Sequence, residues 1–183
     1  MTASWCGRPA PCSTVPRRDQ NVSIDRIPLP RTNGALWLGA RNDVAPDPEA
    51  AMAYADGAST IVCLNGVDEL ARRFAPYVAW LKEHRGGRAI WFPIANFSAP
   101  SPRQVMPIVK MIVDRLEAGE GVLVHCAAGQ GRAGTIAACV LIALGQSTGE
   151  AVRTVASNRV FAGPSNAAQW SLVEGVAAIV RAT

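Results

Sequence analysis

VLVHCAAGQGRAGT, residues 122–135, is the stretch whose reading decides the fold. Val122, Leu123 and Val124 form a short β-branched apolar run of the kind buried on both faces of a sheet. After His125 and Cys126 come Ala127, Ala128, Gly129, Gln130 and Gly131, all small or neutral, and then Arg132. From Ile136 the apolar residues Ile136, Val140, Leu141 and Leu144 recur at helical spacing. The stretch therefore reads as a buried strand, a tight loop and a helix that begins at about Arg132.

Outward from it, the same alternation repeats. ALWLGA (35–40) follows the turn signal Asn33-Gly34 and reads as a strand. Asp47-Pro48 supplies an N-cap and a first-turn proline for a helix through about Tyr54. STIVCL (59–64) is a second strand buried on both faces, ended by Asn65-Gly66. Residues 67–84 are helical in pattern with an interruption at Pro76, and RAIWFPI (88–94) is the next strand. After the loop IANFSAPS (94–101), Ser101, Pro102 and Gln104 open a helix with a capping box. Val105, Ile108, Val109, Ile112, Val113 and Leu116 give that helix one buried face. Further helices cover about 148–157 and 166–181. This alternation predicts an α/β fold, a central mainly parallel sheet of four to five strands with helices on both faces. Ligands of such sheets sit beyond the carboxyl ends of the strands, where the quoted loop lies.

The loop's composition suits one chemistry. A cysteine attacks as thiolate, and a helix N-terminus with its unpaired N–H groups favours an anion. Ala127, Ala128, Gly129 and Gly131 let the backbone close around an oxyanion. Arg132 offers a planar two-pronged donor to phosphate oxygens. Together these residues read as a bowl for a tetrahedral dianion, with the Cys126 sulfur aimed at phosphorus and a covalent phosphoenzyme as intermediate. The alternative for Cys126 is a buried structural thiol, and for Arg132 a surface helix residue.

At these positions the sequence resembles a known family. His125-Cys126-x5-Arg132, with Gly129 and Gly131, is similar to the signature of the cysteine-based protein tyrosine phosphatases, and Gly131-Arg132-Ala133-Gly134-Thr135 resembles the dual-specificity branch. The resemblance covers roughly residues 24–180 and implies the phosphotyrosine phosphatase II-like fold. It implies Cys126 as nucleophile and residues 127–132 as phosphate ligands. His125 becomes a donor behind the loop that fixes it and favours the thiolate. Gln169 falls where the family often has a water-positioning glutamine. PIANFSAPSP (93–102) resembles the general-acid loop, but Asn96 stands where the acid belongs. An amide gives no proton to a leaving oxygen. Ala133 replaces the usual hydroxyl residue that assists breakdown of the phosphoenzyme. No lysine lies in the loop, whereas relatives acting on phosphoinositides often place lysines there. The resemblance therefore implies a phosphoric monoester hydrolase slowed at Asn96. The alternatives are a pseudophosphatase that grips phosphorylated partners and a rhodanese-type sulfur transferase.

The remaining features bound this reading. The chain has 183 residues, enough for one well-packed domain (23–183) behind a mobile tail (1–22), and a formal net charge of +4. That charge suits a phosphorylated protein or small phosphate ester and is too small to imply nucleic acid. No apolar run is long enough to cross a bilayer, and the N-terminal residues carry no signal-peptide h-region, so a cytoplasmic monomer is expected, with no metal or cofactor. The odd set Cys6, Cys12, Cys63, Cys126 and Cys139 reads as reduced thiols. Cys63 ends the strand expected beside Val122–Val124. It reads first as a core residue and second as a resolving thiol that would bond Cys126 after oxidation.

Overall fold

A computed structural model describes residues 22–182; the tail expected over 1–22, with Cys6, Cys12, Arg17 and Arg18, lies outside the described residues but for Val22. Five strands form one sheet in the order β1-β2-β5-β3-β4. They are β1 (Ile24–Ile27), β2 (Ala35–Ala40), β3 (Thr60–Cys63), β4 (Ala89–Trp91) and β5 (Gly121–Cys126). All neighbours run parallel except β1, which pairs antiparallel with β2. β1 is an edge strand that the sequence reading does not contain. Its polar Asp25 and Arg26 break the apolar run, because only one side of an edge strand needs burial. The strand expected over 88–94 shrinks to three residues, as Pro93 has no N–H to continue a ladder.

The helices divide by face. α1 (Arg41–Val44), α2 (Pro48–Tyr54), α3 (Val67–Leu70) and α4 (Ala75–Glu83) cover one side. The other side carries α5 (Pro102–Glu117), α6 (Gly131–Ala143), α7 (Thr148–Asn158) and α8 (Ala167–Ala182). Pro76 does not interrupt a helix. It sits in the first turn of α4, where a missing N–H costs nothing, and the break falls at Ala71–Phe74 instead. Ser101 and Ser147 cap α5 and α7 in capping boxes, and Asp47 caps α2 by accepting from the Ala50 N–H at 2.9 Å.

α6 is different. Every residue from Arg132 to Ile142 is buried, because the helix lies between the sheet and α5, α7 and α8. Wholly buried side chains such as Ile136, Val140 and Leu141 contribute about 1.5–3 kcal/mol each by leaving water. Its N-cap, Gln130, makes no side-chain cap. The best-anchored helix of the fold thus points an uncapped N-terminus at the end of β5, the central strand.

Candidate active site

Cys126 is the last residue of β5, and α6 begins at Gly131 after a four-residue turn. The five carbonyls from Ala127 to Gly131 all find donors outside the loop. The Arg41 N–H donates to Ala127 O (3.2 Å), and Arg159 donates to Ala128 O through Nη2 (2.8 Å) and to Gly129 O through Nε (2.7 Å). The Gly134 N–H reaches Gln130 O (2.7 Å), and the Thr135 hydroxyl reaches Gly131 O (2.7 Å). By contrast, the N–H groups of Ala128, Gly129 and Gln130 have no partner among the described residues, and those of Gly131–Ala133 precede the first intrahelical bond. A loop whose carbonyls are all held from without has its donors left for whatever sits within.

Two glycines make that closure feasible. Gly129 adopts φ +70°, and a Cβ there would collide with Gly39 O and lie 2.6 Å from Arg159 Nη2. A Cβ on Gly134 would strike the backbone of Ala162 and Gly163 where it crosses α6. Smallness at these positions serves packing from behind as much as room for a ligand. Arg159 is the clamp. It caps α7 at its C-terminal end, is 6% exposed, and also donates through Nη1 to Asp25 (2.6 Å) and Ser23 O (2.9 Å). It ties the loop to the edge strand that begins the fold.

Arg132 is 3% exposed and is held by Glu69. Nη1 donates to Glu69 Oε1 (2.7 Å) and Ile94 O (2.7 Å), and Nη2 donates to Glu69 Oε2 (2.9 Å). Of the five guanidinium hydrogens, Nε–H and one on Nη2 remain, and these two form the other edge of the fork. The Arg132 bond holds the Glu69 carboxyl down at about 2; burial opposes this, and bonds from the Gly66 N–H and Asn65 add to it. Burial works against the Arg132 charge, but the Glu69 bonds and the nearby Cys126 and Glu69 outweigh it, so its pKa rises.

His125 faces the other way. Cross-strand partners in this sheet share a face, and His125 pairs in register with Cys63, while Cys126 projects to the opposite side. The His125 ring is fully buried, with Nε2 2.6 Å from the Tyr77 hydroxyl and Nδ1 unpartnered. Burial drives its pKa down to about 3, although the Cys126 main chain opposes the shift. It is neutral at pH 7, so any support it gives a thiolate is as a neutral donor. Cys63 likewise points away from Cys126, into the cluster of Trp37, Tyr77 and Leu123. Burial pushes its thiol up to about 12. The sheet lies between the two sulfurs, so Cys63 sits as a core residue, its first reading, and the second reading, a resolving thiol for Cys126, does not fit this geometry.

A cavity of about 320 Å³ opens over the loop, lined by Cys126, Gln130, Arg132, Asn96 and Gln169 among others. Asn96 is therefore brought to the site from the β4–α5 loop. Gln169 is buried. Its Oε1 accepts from the Ser165 N–H and hydroxyl, both at 2.9 Å, which turns the amide nitrogen elsewhere. Ala133 is buried, and the Thr135 hydroxyl is spent on Gly131 O. Asp68 and Glu69 line an adjoining cleft with Pro93–Asn96. Among the described residues, no group of His, Cys, Asp and Glu is placed to hold a metal ion.

Glu69, Arg159 and Tyr77 are absent from the sequence reading. Glu69 had a signal, since it follows the carboxyl end of β3, where ligands of parallel sheets gather. Arg159 lies 30 residues from the carbonyl of Gly129 that it holds, and no spacing announces it.

The family described as PTP-SAK, Swiss Army Knife protein, DSP-PTPase phosphatase domain, matches residues 47–171, from the first capped helix through Gln169. The chain belongs to this family. The fold of the PTP-SAK domain is similar to that of kinase associated phosphatase with its catalytic-site cysteine replaced by serine (TM-score 0.73, 22% identity, 90% of this chain and 99% of that one). It is also similar to Tk-PTP in the active form (TM-score 0.63, 25% identity, 84% and 96% covered). PTPMT1 in complex with PI(5)P shares the fold at 17% identity (TM-score 0.60, 80% and 92% covered). No helix among the described residues is long and apolar enough to cross a membrane.

Proposed function

We propose that this PTP-SAK domain hydrolyses phosphoric monoesters of protein or small-molecule origin through a cysteinyl-phosphate at Cys126. The observation that carries the reading is the loop's bonding: carbonyls 127–131 all tied outward, with unpaired N–H groups and the Arg132 edge that Glu69 leaves over turned to one sulfur. In the first step the S–P bond forms and the P–O ester bond breaks. Main-chain N–H groups and Arg132 bind the equatorial oxygens. In the second step water attacks phosphorus, the S–P bond breaks, and inorganic phosphate leaves. Gln169, at the cavity wall, orients that water through its amide nitrogen.

Asn96 cannot protonate the leaving oxygen, which costs about 10²–10⁴-fold in rate on ordinary esters. Ala133 withdraws a hydroxyl from the second step. These two positions also favour the alternative, a pseudophosphatase that grips phosphorylated partners with little turnover. Burst and steady-state kinetics on an activated aryl phosphate separate the two. Turnover abolished by Cys126→Ser, and a gain for Asn96→Asp on ordinary esters, support the enzyme. Tight vanadate binding without turnover of even the activated ester selects the binding module.

A further inference from the structure

Between α5 and α8 lies a groove of about 700 Å³ that the proposed chemistry does not use. Arg103, Met106, Pro107 and Lys110 line it from α5, and Ile179 and Ala182 from α8. The α5 residues stand at i, i+3, i+4 and i+7, so they form one stripe along the helix. Met106 packs partly on the core and turns the rest of its side chain to the groove, while Pro107 is exposed. Methionine suits such a surface, because its unbranched thioether adapts to the shape of what it meets.

Two further observations say what fits there. The first is charge. Arg103 and Lys110 bracket the apolar residues about 10.5 Å apart along the helix, and no acidic residue among the described ones lines the groove. The Arg103 side chain has no partner among the described residues. Lys110 has only Asp114, an exposed pair at 2.7 Å that another carboxylate can replace. The second is a main-chain acceptor. Pro107 lies inside α5 and has no N–H, so the Arg103 carbonyl lacks the donor that a helix supplies from four residues on. We propose that this groove docks an acidic amphipathic helix of a partner protein. Its apolar residues lie over Met106 and Pro107, two carboxylates two turns apart meet Arg103 and Lys110, and a side-chain donor reaches the Arg103 carbonyl. The chain's own N-terminal residues carry Arg8, Arg17 and Arg18 against Asp19, the wrong sign for this rim. The groove begins in the first turn of α5, directly after the loop that carries Asn96, so a docked partner is held near the cavity over Cys126. The proposal does not depend on that cavity binding phosphate.

The test is fluorescence anisotropy of a labelled probe helix titrated with the full chain. The probe carries glutamates at i and i+7, leucine at i+3 and glutamine at i+4. It should bind the wild type, and Arg103→Glu with Lys110→Glu should weaken it about tenfold or more. A probe with lysines in place of the glutamates should show the reverse order and prefer the doubly substituted chain. Pro107→Ala returns an N–H to the Arg103 carbonyl, so it should raise Tm and yet weaken the probe about threefold. No binding of the acidic probe, equal binding of both probes to the wild type, or a Pro107→Ala chain that binds as the wild type does would overturn the proposal. So would another occupant. Vesicles of phosphatidylserine bound more tightly than the probe make the groove a membrane contact. Self-association abolished by the same charge reversal makes it a seat for a second copy. Tighter probe binding by Trp5→Ala puts the chain's own N-terminal residues in it.

Discussion

Replacing Arg159 by lysine tests the claim that the phosphate loop is shaped from behind. The guanidinium bridges Gly129 O, Ala128 O and Asp25 from three different nitrogens, and its side chain is 5% exposed. A lysine ammonium puts all its donors on one atom and can satisfy one of these directions. Two acceptors lose their partner, at about 1–3 kcal/mol each. With a lysine tail still filling the space, a loss of about 3 kcal/mol is expected. In a domain of this size that is a fall of about 6–12 °C in Tm. Stability alone does not discriminate, so the informative quantity is the added stability given by vanadate. Vanadate at 100 times its Kd should raise wild-type stability by about 2.7 kcal/mol. In Arg159→Lys the released carbonyls turn, the N–H groups no longer converge, and most of that increment should vanish. Asp25→Asn is the control. Asp25 is 42% exposed, its ion pair is worth about 1 kcal/mol or less, and the vanadate increment should survive. Calorimetry with and without vanadate decides it. A destabilised Arg159→Lys that keeps the full vanadate increment would refute the argument.

Glu69→Gln should lower kcat/KM about ten- to a hundredfold, since Arg132 loses a charge-assisted bond that sets its fork; unchanged kinetics would show that the Ile94 and Leu64 carbonyls suffice to fix it. The same variant has a pH signature. Glu69 titrates near 2 in the folded chain against an ordinary 4.5, so its contribution to stability is complete above pH 4.5 and is lost as pH falls towards 2. Acid unfolding of Glu69→Gln should be flatter across that window. Ala133→Ser should speed breakdown of the phosphoenzyme and so shrink a burst on activated aryl phosphate, leaving the burst rate itself unchanged. Cys63, with its thiol pushed up to about 12, should resist alkylation at pH 8 in the folded chain, and mass spectrometry after mild peroxide should find no Cys63–Cys126 crosslink.

What could be read in the sequence was whatever local patterning controls. β3 and β5 announce themselves because strands buried on both faces are continuous apolar runs, and α5 because its capping box and apolar stripe are contiguous. Cys126 and Arg132 were legible because six residues of spacing place them on one loop. Asn96 was legible because it lies on a second contiguous segment, before α5. Glu69 and Arg159 were not, because each acts across 30 or more residues through a contact that only the folded sheet creates. His125 was legible as a residue, but not its ionisation. Period-2 alternation puts it on the face opposite Cys126, and the consequence for its ionisation depends on Tyr77 and the cluster around it.

Under the proposed reading, the distribution of these contacts separates the groups that hold phosphate from the one that would give a proton. The groups proposed to hold phosphate come from β5 and α6 and are supported by α3, α7 and β1, with several bonds to each part of the loop. Removing Arg132, Glu69 or Arg159 leaves buried partners unsatisfied, so stability itself guards the bowl. Asn96, proposed to stand at the proton-donating position, is a single exposed side chain on the β4–α5 loop, and changing it leaves no buried group without a partner. Aspartate and asparagine at position 96 therefore differ little in folding and greatly in chemistry. A change that sets the rate without touching the fold can accumulate freely. It is then tolerated wherever the ester itself supplies the missing driving force, as an aryl ester does. That makes Asn96→Asp, with stability and vanadate affinity expected to stay constant while the rate on alkyl esters rises, the substitution that isolates the chemical step from everything else the loop does.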